Sequence, residues 1–303
     1  MKKLVFATRG SALALWQTRR VAELLEQYNP GHTIVEQVIR TRGDDDRTSP
    51  LPEIGGAGVF TEALERALLD GSADVAVHSL KDLPIEQRNG LAIGAVCLRE
   101  DVRDVLISRS GQSLTDLAAG SIVGTSSRRR SAQVLSIRPD LDVRPIRGNV
   151  ETRVAKVDAG EYAATVLAAA GIRRLGLEAR VSEWLSLETF LPAPGQGALA
   201  VQCRREDAEV RALLTALDDA DVRVCTDAER QFLALLGGGC SLPVAAYANV
   251  AGEMLHLRGF VGSQSGRRSI RVEERTSRND GRAAAARLAD RAFAEGAAAL
   301  LEE

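Results

Sequence analysis

The stretch Leu4-Val5-Phe6-Ala7-Thr8-Arg9-Gly10-Ser11-Ala12-Leu13-Ala14-Leu15-Trp16-Gln17 decides the fold class. Leu4 to Thr8 is a short apolar run with the length of a buried strand. Ser11 is a ready N-cap, and from Ala12 to Tyr28 apolar residues recur at helical spacing until Asn29-Pro30-Gly31 stops them. That is a β-loop-α unit, and it repeats. Ile34 to Arg40 reads as a strand, Phe60 to Leu69 as a helix closed by Asp70-Gly71, and Asp74 to Leu80 as a strand running into His78-Ser79-Leu80-Lys81-Asp82. Repeated units of this kind predict an α/β fold with a largely parallel sheet, whose ligands gather at the carboxyl ends of the strands.

A second series starts near Asp104. Strands are expected at Val105–Ser108, Ile122–Gly124, Asp142–Ile146 and Thr165–Ala168, with helices around Leu114–Ala118 and over Arg129–Ile137 and Val150–Asp158. The charged run Arg99-Glu100-Asp101 marks the break between the two series. The proline- and glycine-rich Pro192-Ala193-Pro194-Gly195-Gln196-Gly197 suits a return crossing or hinge. Beyond Asp218-Asp219-Ala220 a third pattern follows: a helix at Val222–Leu236, strands at Leu255–Val261 and Ser269–Glu274, and a terminal helix from about Gly281, as in a small α+β domain.

Composition narrows the function. A chain of 303 residues has room for two or three domains. Its 39 Lys and Arg stand against 41 Asp and Glu, a formal net charge of -2, so any basic site is local and a globally cationic nucleic-acid or membrane binder is excluded. Cys97, Cys203, Cys225 and Cys240 form no CxxC pair, and the three histidines His32, His78 and His256 have no metal-ligand spacing. This argues for a reduced, cytoplasmic setting without a metal site. Arg9 cuts the amino-terminal apolar run too early for a secretory signal. No stretch approaches the roughly 18 apolar residues of a membrane span; Ala163 to Ile172 comes nearest.

Four features carry possible chemistry. Thr8-Arg9-Gly10-Ser11 sets a cation and a hydroxyl at a helix start, where an anion is favoured, although an ordinary cap beside a solvated arginine has the same pattern. Gly124-Thr125-Ser126-Ser127-Arg128-Arg129-Arg130, then Arg144, Arg147-Gly148-Asn149 and Arg153, crowd arginines onto two helix starts. Cations are disfavoured there unless an anion is bound, and guanidinium groups grip carboxylates or phosphates bidentately. No GxxxxGK[ST] run supports a P-loop nucleotide site. Asp82, in Lys81-Asp82-Leu83-Pro84 at a strand end, is a candidate acid/base or cation stabiliser, or else part of a plain turn. Gly237-Gly238-Gly239-Cys240-Ser241 lets a bulky group approach a thiol, or is simply a flexible loop.

Together these features resemble the porphobilinogen deaminases, or hydroxymethylbilane synthases. The resemblance runs through Ala7-Thr8-Arg9, Trp16-Gln17, Thr41-Arg42-Gly43-Asp44, His78-Ser79-Leu80-Lys81-Asp82-Leu83-Pro84, Gly124-Thr125-Ser126-Ser127, Arg147-Gly148-Asn149-Val150, Ala170-Gly171-Ile172-Arg173-Arg174-Leu175-Gly176, Pro194-Gly195-Gln196-Gly197 and Gly238-Gly239-Cys240, almost the whole chain. It implies two periplasmic-binding-protein-like α/β domains with hinge crossings (residues 1–98 with 198–217, and 99–197) and a small α+β domain (218–303). It also implies a monomer that joins four porphobilinogen molecules in deaminating condensations and releases the linear tetrapyrrole hydroxymethylbilane by hydrolysis.

The same resemblance assigns roles. Cys240 would carry a dipyrromethane cofactor through a thioether, leaving the other three cysteines structural. Lys81, Asp82, Thr125, Ser127, Arg129, Arg130, Arg147 and Gly148 would bind that cofactor. Arg9, Ser11, Arg147, Arg153, Arg174 and Gln196 would bind substrate, whose acetate and propionate account for the arginines. Asp82 would be the catalytic carboxylate, helping ammonia leave and stabilising the cationic pyrrole species. The segment from Gly43 to Gly58 would be a lid, with Ala57 where many bacterial relatives carry Lys; Arg128 replaces a common Leu. The rival readings are a non-catalytic two-lobed carboxylate-binding protein, which leaves Cys240 and Asp82 without a purpose, and a nucleic-acid binder, which 4% aromatic residues supply poorly.

Overall fold

The opening strand and helix form where the pattern places them. In the computed structural model, which describes residues 2–45, 58–238 and 242–303, β1 (Lys2–Thr8) leads into α1 (Ala12–Tyr28), and the Ser11 hydroxyl accepts from the Ala14 amide at 3.3 Å. Val21 and Leu25 are buried, and the Asn29 amide closes the helix on the Leu25 carbonyl. The chain continues through β2 (His32–Val38), α2 (Arg42–Asp45), α3 (Glu62–Leu69), β3 (Val75–Ser79) and β4 (Leu91–Cys97). Next come β5 (Asp104–Ser108), β6 (Ile122–Gly124), α4 (Arg128–Ile137), β7 (Asp142–Arg144), α5 (Val150–Asp158), β8 (Ala164–Ala168), α6 (Ala169–Arg174) and β9 (Glu183–Trp184). The last third holds β10 (Leu199–Arg204), α7 (Ala208–Leu214), α8 (Ala220–Leu235), β11 (Val244–Ala251), β12 (Met254–Gly262), β13 (Ser269–Ser277), α9 (Gly281–Ala294) and α10 (Ala297–Glu302).

These elements fall into two compact units, one of Met1–Arg99 with Gly197–Arg223, the other of Glu100–Gln196 with Val224–Glu303. The first holds a five-stranded sheet in the order β2-β1-β3-β10-β4. Leu4, Phe6, Val75, Val77 and Val201 pack on one side of it, and Ala7, Leu64, Leu68, Ala76 and Leu91 on the other. The second holds the sheet β7-β6-β8-β5-β9 and, from its carboxyl-terminal segment, the antiparallel sheet β11-β12-β13 packed by α8 and α9 through Phe232, Leu255, Leu257 and Leu288. The fold is thus mixed α/β with a small antiparallel carboxyl-terminal sheet.

Neither five-stranded sheet is wholly parallel. β10 runs antiparallel to β3 and β4, and β5 antiparallel to β8 and β9. Each is the strand that follows a crossing segment, so it enters its sheet without the helical crossover that forces strands parallel. The helix expected around Leu114–Ala118 is a set of turns instead. The Ser113 hydroxyl donates to Asp116 at 2.6 Å and the Leu114 amide to Glu183 at 2.7 Å, and such side-chain bonds compete with helix formation.

Candidate functional site

In the first unit, β1 and β3 deliver the carboxyl-terminal strand ends to one pocket. Arg9 and Ser11 come from the loop after β1, Gln17 from α1, Phe60 and Thr61 from the approach to α3, and His78, Ser79 and Asp82 from the end of β3 and the turn behind it. Arg9 is held on two sides. Its Nη2 and Nε donate to Asp44 at 2.5 and 3.3 Å, and its guanidinium stacks on the Phe60 ring at 4.2 Å. Asp44 also accepts from the Thr41 hydroxyl at 2.7 Å. Gly43 is needed for this packing, since a Cβ there would lie 2.1 Å from the Phe60 ring. Burial raises the Asp44 carboxyl, but the Arg9 and Thr41 hydrogen bonds outweigh it and hold the group below its ordinary range.

The Gln17 amide donates to the Ser79 hydroxyl at 3.0 Å, and Asp82 is exposed at the pocket. His78 lies deeper, 6% exposed, and its Nε2 is buried without a hydrogen-bond partner among the described residues. Burial pushes its imidazole down to about 4; the neighbouring Gln202 resists this, and the Arg9 charge adds to it. His78 is therefore neutral at pH 7. Lys81 stands half-buried in the same turn as Asp82.

In the second unit two strand-to-helix loops are tied together. Thr125 donates its amide to the Arg144 carbonyl at 2.9 Å. The Ser126 hydroxyl donates to the Ile146 carbonyl at 2.8 Å and accepts from the Ile146 amide at 3.1 Å. Ser127 caps α4, accepting from the Arg130 amide, and Asn149 caps α5, accepting from the Thr152 amide at 2.9 Å. Gly148 stands between them at φ +111°, where a Cβ would lie 2.6 Å from Thr152, and its carbonyl accepts from Arg153 Nε at 2.8 Å. Arg147 is half-buried beside it and Arg174 is 7% exposed at the end of α6. Arg128 is exposed. The first turn of α4 holds no acid and three arginines, so their counter-charge has to come from outside the helix.

Arg129 and Arg130 meet a partner that the sequence reading missed. Asp104, wholly buried, accepts from Arg129 Nη1 at 2.7 Å and from Arg130 Nη2 and Nε at 2.7 and 3.1 Å. Gln196, also wholly buried, adds a donation to Asp104 at 3.0 Å and reaches the Val102 carbonyl at 2.8 Å, so it fastens the outgoing and returning crossings of the chain to each other. Burial raises the Asp104 carboxyl, but the two guanidinium charges prevail and hold it well below the carboxylate range.

Arg9, Ser11 and Asp82 thus share one pocket. Thr125, Ser127, Arg147, Gly148 and Arg153 share the tied loops, while Arg129, Arg130 and Gln196 converge on Asp104. Cys240 and Ala57, together with most of the expected lid, lie outside the described residues. Gln17, Asp44, Phe60, Thr61 and Asp104 join these groups without having been assigned from sequence. Asp44 had a signal, its Thr-Arg-Gly-Asp motif; Asp104 had a weaker one, an acid opening an apolar strand. Cys97, Cys203 and Cys225 are buried, and burial pushes the thiol of Cys203 up to about 11. Among the described residues no group of His, Cys, Asp and Glu is placed to hold a metal ion, and no helix is long and apolar enough to cross a membrane.

Residues 4–212 match the family model for the porphobilinogen deaminase dipyromethane cofactor binding domain, and residues 223–293 that for the porphobilinogen deaminase C-terminal domain. Among solved structures the chain is similar to the effector binding domain of BenM with its effector benzoate (16% identity, 78% of this chain and 94% of that one, TM-score 0.44). It is also similar to a substrate binding domain of a putative molybdenum ABC transporter from Clostridium difficile (11% identity, 72% and 93%, TM-score 0.43). Likenesses of that size say nothing about ligand or chemistry.

Proposed function

Because this chain belongs to the porphobilinogen deaminase family, a transferase family with a dipyrromethane cofactor, we propose that it is a hydroxymethylbilane synthase in which Asp82 is the catalytic carboxylate and Cys240 carries the cofactor as a thioether. The chemistry of the donor groups fits that cofactor. Its carboxylate arms call for cations and hydroxyls at helix starts, and the tied loops supply Thr125, Ser127 and Arg147 there, with three arginines in the first turn of α4 against the single carboxylate of Asp104. When bound, the dipyrromethane offers the pyrrole carbon to which the first porphobilinogen is joined.

The rest falls to the chain's own side chains. Arg9, Arg153 and Arg174 hold acetate and propionate groups, assisted by Ser11; Lys81 and Gly148 contribute on the cofactor side. Arg129 and Arg130 act with Asp104 between them, which fixes their guanidinium planes before any ligand arrives and lowers the ordering cost of binding. Gln196 acts through the same carboxylate by steadying the crossings. Asp82 accepts hydrogen bonds from pyrrole N–H groups and stabilises the positive charge that the ring takes up as the C–N bond breaks and ammonia departs with the bonding pair. Its exposure lets it face successive rings. The proposal includes the division into three domains (1–98 with 198–217, 99–197, 218–303), hydrolytic release after four condensations, and action as a cytoplasmic monomer.

The observation that carries this reading is that Arg9 and Ser11, from the loop after the first strand, line one pocket of the first unit with Asp82, which is distant from them in sequence. Asp82→Asn keeps size and polarity but removes the charge. Turnover of porphobilinogen is expected to fall about 100-fold or more with an unchanged circular dichroism spectrum. Wild-type turnover would remove Asp82 from the mechanism.

A further inference from the structure

The turn that carries Asp82 is held on both sides. Upstream, the Leu80 amide donates to the Ala198 carbonyl at 3.0 Å, and Leu80 and Leu83 are buried with Val96, Ala198 and Ala200. Downstream, the chain leaves the turn extended, with Leu83 at φ -77° and ψ 135°, and enters Pro84, which has no N–H to donate. The Pro84 carbonyl accepts from Gln87 Nε2 at 3.2 Å. The Asp82 side chain is exposed and makes no hydrogen bond among the described residues, so the backbone on either side sets its place.

The bond to Pro84 is one end of a longer chain. Gln87 Oε1 accepts from Gln202 Nε2 at 3.2 Å, and the same Gln202 nitrogen donates to Glu65 Oε1 at 3.1 Å. A carbonyl can only accept. The Pro84 oxygen therefore turns the Gln87 nitrogen toward itself and the Gln87 oxygen toward Gln202, whose nitrogen then faces both of its acceptors. Gln202 is wholly buried on β10, between β3 and β4, and Gln87 is half-buried. Glu65 is buried on α3, one turn beyond Thr61, whose carbonyl its amide meets at 2.9 Å. The chain thus joins the outgoing end of the Asp82 turn to the middle of the sheet and to the helix whose approach supplies Phe60 and Thr61 to the pocket. Apolar side chains at 65 and 202 would fill the same space without removing a carboxyl and an amide from water. A connected polar network does what they could not, which is to fix one arrangement of the groups it joins.

Resting on the function proposed above, we infer that Gln87 and Gln202 are positioning residues for the reaction: through the Pro84 carbonyl they hold the Asp82 turn against β10 and α3, and so fix where the Asp82 carboxyl meets the reacting ring. Neither touches substrate. Their whole effect on turnover passes through Asp82.

The test is a double-mutant cycle on cofactor-loaded protein, with kcat and KM for porphobilinogen measured in wild type, Gln87→Met, Asp82→Asn and the double variant. Gln87→Met should lower kcat about tenfold or more, since a displacement of about 1 Å at the reacting group has effects of that size, with KM unchanged within about twofold. In the Asp82→Asn background the same substitution should change kcat by less than about twofold. A fall by the same factor in both backgrounds would make Gln87 merely structural and overturn the inference, as would an unchanged kcat in Gln87→Met. Gln87→Glu keeps an acceptor for Gln202 but loses the donor to Pro84, and should match Gln87→Met; wild-type turnover in it would also overturn the inference. Gln87 is tested ahead of Gln202 because a half-buried side chain can be replaced without emptying the core. Failure of the underlying function has a different signature: wild type consumes no porphobilinogen, or Asp82→Asn alone turns over like wild type.

Discussion

Replacing Asp104 with asparagine should expose how much the second unit depends on one carboxylate. The side chain is wholly buried and accepts four hydrogen bonds, three from Arg129 and Arg130 and one from Gln196. Asparagine fills the same volume but removes the negative charge and turns a donor toward the arginines, so two buried guanidinium groups lose their counter-charge. Breaking a buried pair from one side costs about 3 to 5 kcal/mol, which at this size lowers Tm by roughly 10 °C. The comparison is Asp142→Asn, whose carboxylate meets Arg144 at a similar 2.6 Å but lies 42% exposed; it should cost less than about 1 kcal/mol. Urea titrations followed by circular dichroism at pH 7 measure both. The sign with pH follows from the depressed Asp104 carboxyl: its stabilisation is complete above the ordinary carboxylate range and is lost as pH falls toward the native value. The wild type should therefore lose stability in acid faster than Asp104→Asn does. Equal costs for the two substitutions would refute the argument that burial, not distance, sets the strength of these pairs.

His78 predicts a second pH effect. Its native value of about 4 lies below the ordinary 6.5, so the unfolded chain takes up a proton first and stability falls as pH drops from about 6.5 to about 4. The loss should reach about 3 kcal/mol, and urea midpoints across that range should fall more steeply in wild type than in His78→Gln; parallel curves would contradict a buried neutral imidazole. Gly148→Ala, at φ +111° with Thr152 in the way, should cost about 1 to 3 kcal/mol, whereas Gly120→Ala, at φ +74° in open space, should cost about 1 kcal/mol. Thermal denaturation separates the two, and equal costs would mean that the Thr152 contact relaxes freely.

What was legible in the sequence was whatever depends on local pattern. Periodicity located β1, α1, β3, α4 and α5 because each couples a regular apolar spacing to a cap or a glycine stop, as Ser11, Ser127 and Asn149 do. It missed β4, β9, β10 and β11. β10 is buried on both faces through Leu199, Ala200, Val201, Gln202 and Cys203, so no alternation marks it, and its partners β3 and β4 are distant in sequence. The pocket was legible at Arg9, Ser11 and Asp82 because each stands at a strand end. Its companions were less so. Phe60 acts only because Gly43 leaves space for its ring, and the isolation of the Thr61 and His78 polar atoms is a fact of packing that no spacing encodes. The arginines of α4 were singled out by their odd position, but Asp104 reaches them through tertiary structure alone.

The central claim is a transferase primed by a cofactor on Cys240, and the mass of the intact, active protein tests it most directly. The account predicts an increment equal to one dipyrromethane in wild type, lengthening ring by ring on brief exposure to porphobilinogen and absent from an inactive Cys240→Ser. An unmodified mass in protein that still makes hydroxymethylbilane, or an increment that survives Cys240→Ser, would contradict it.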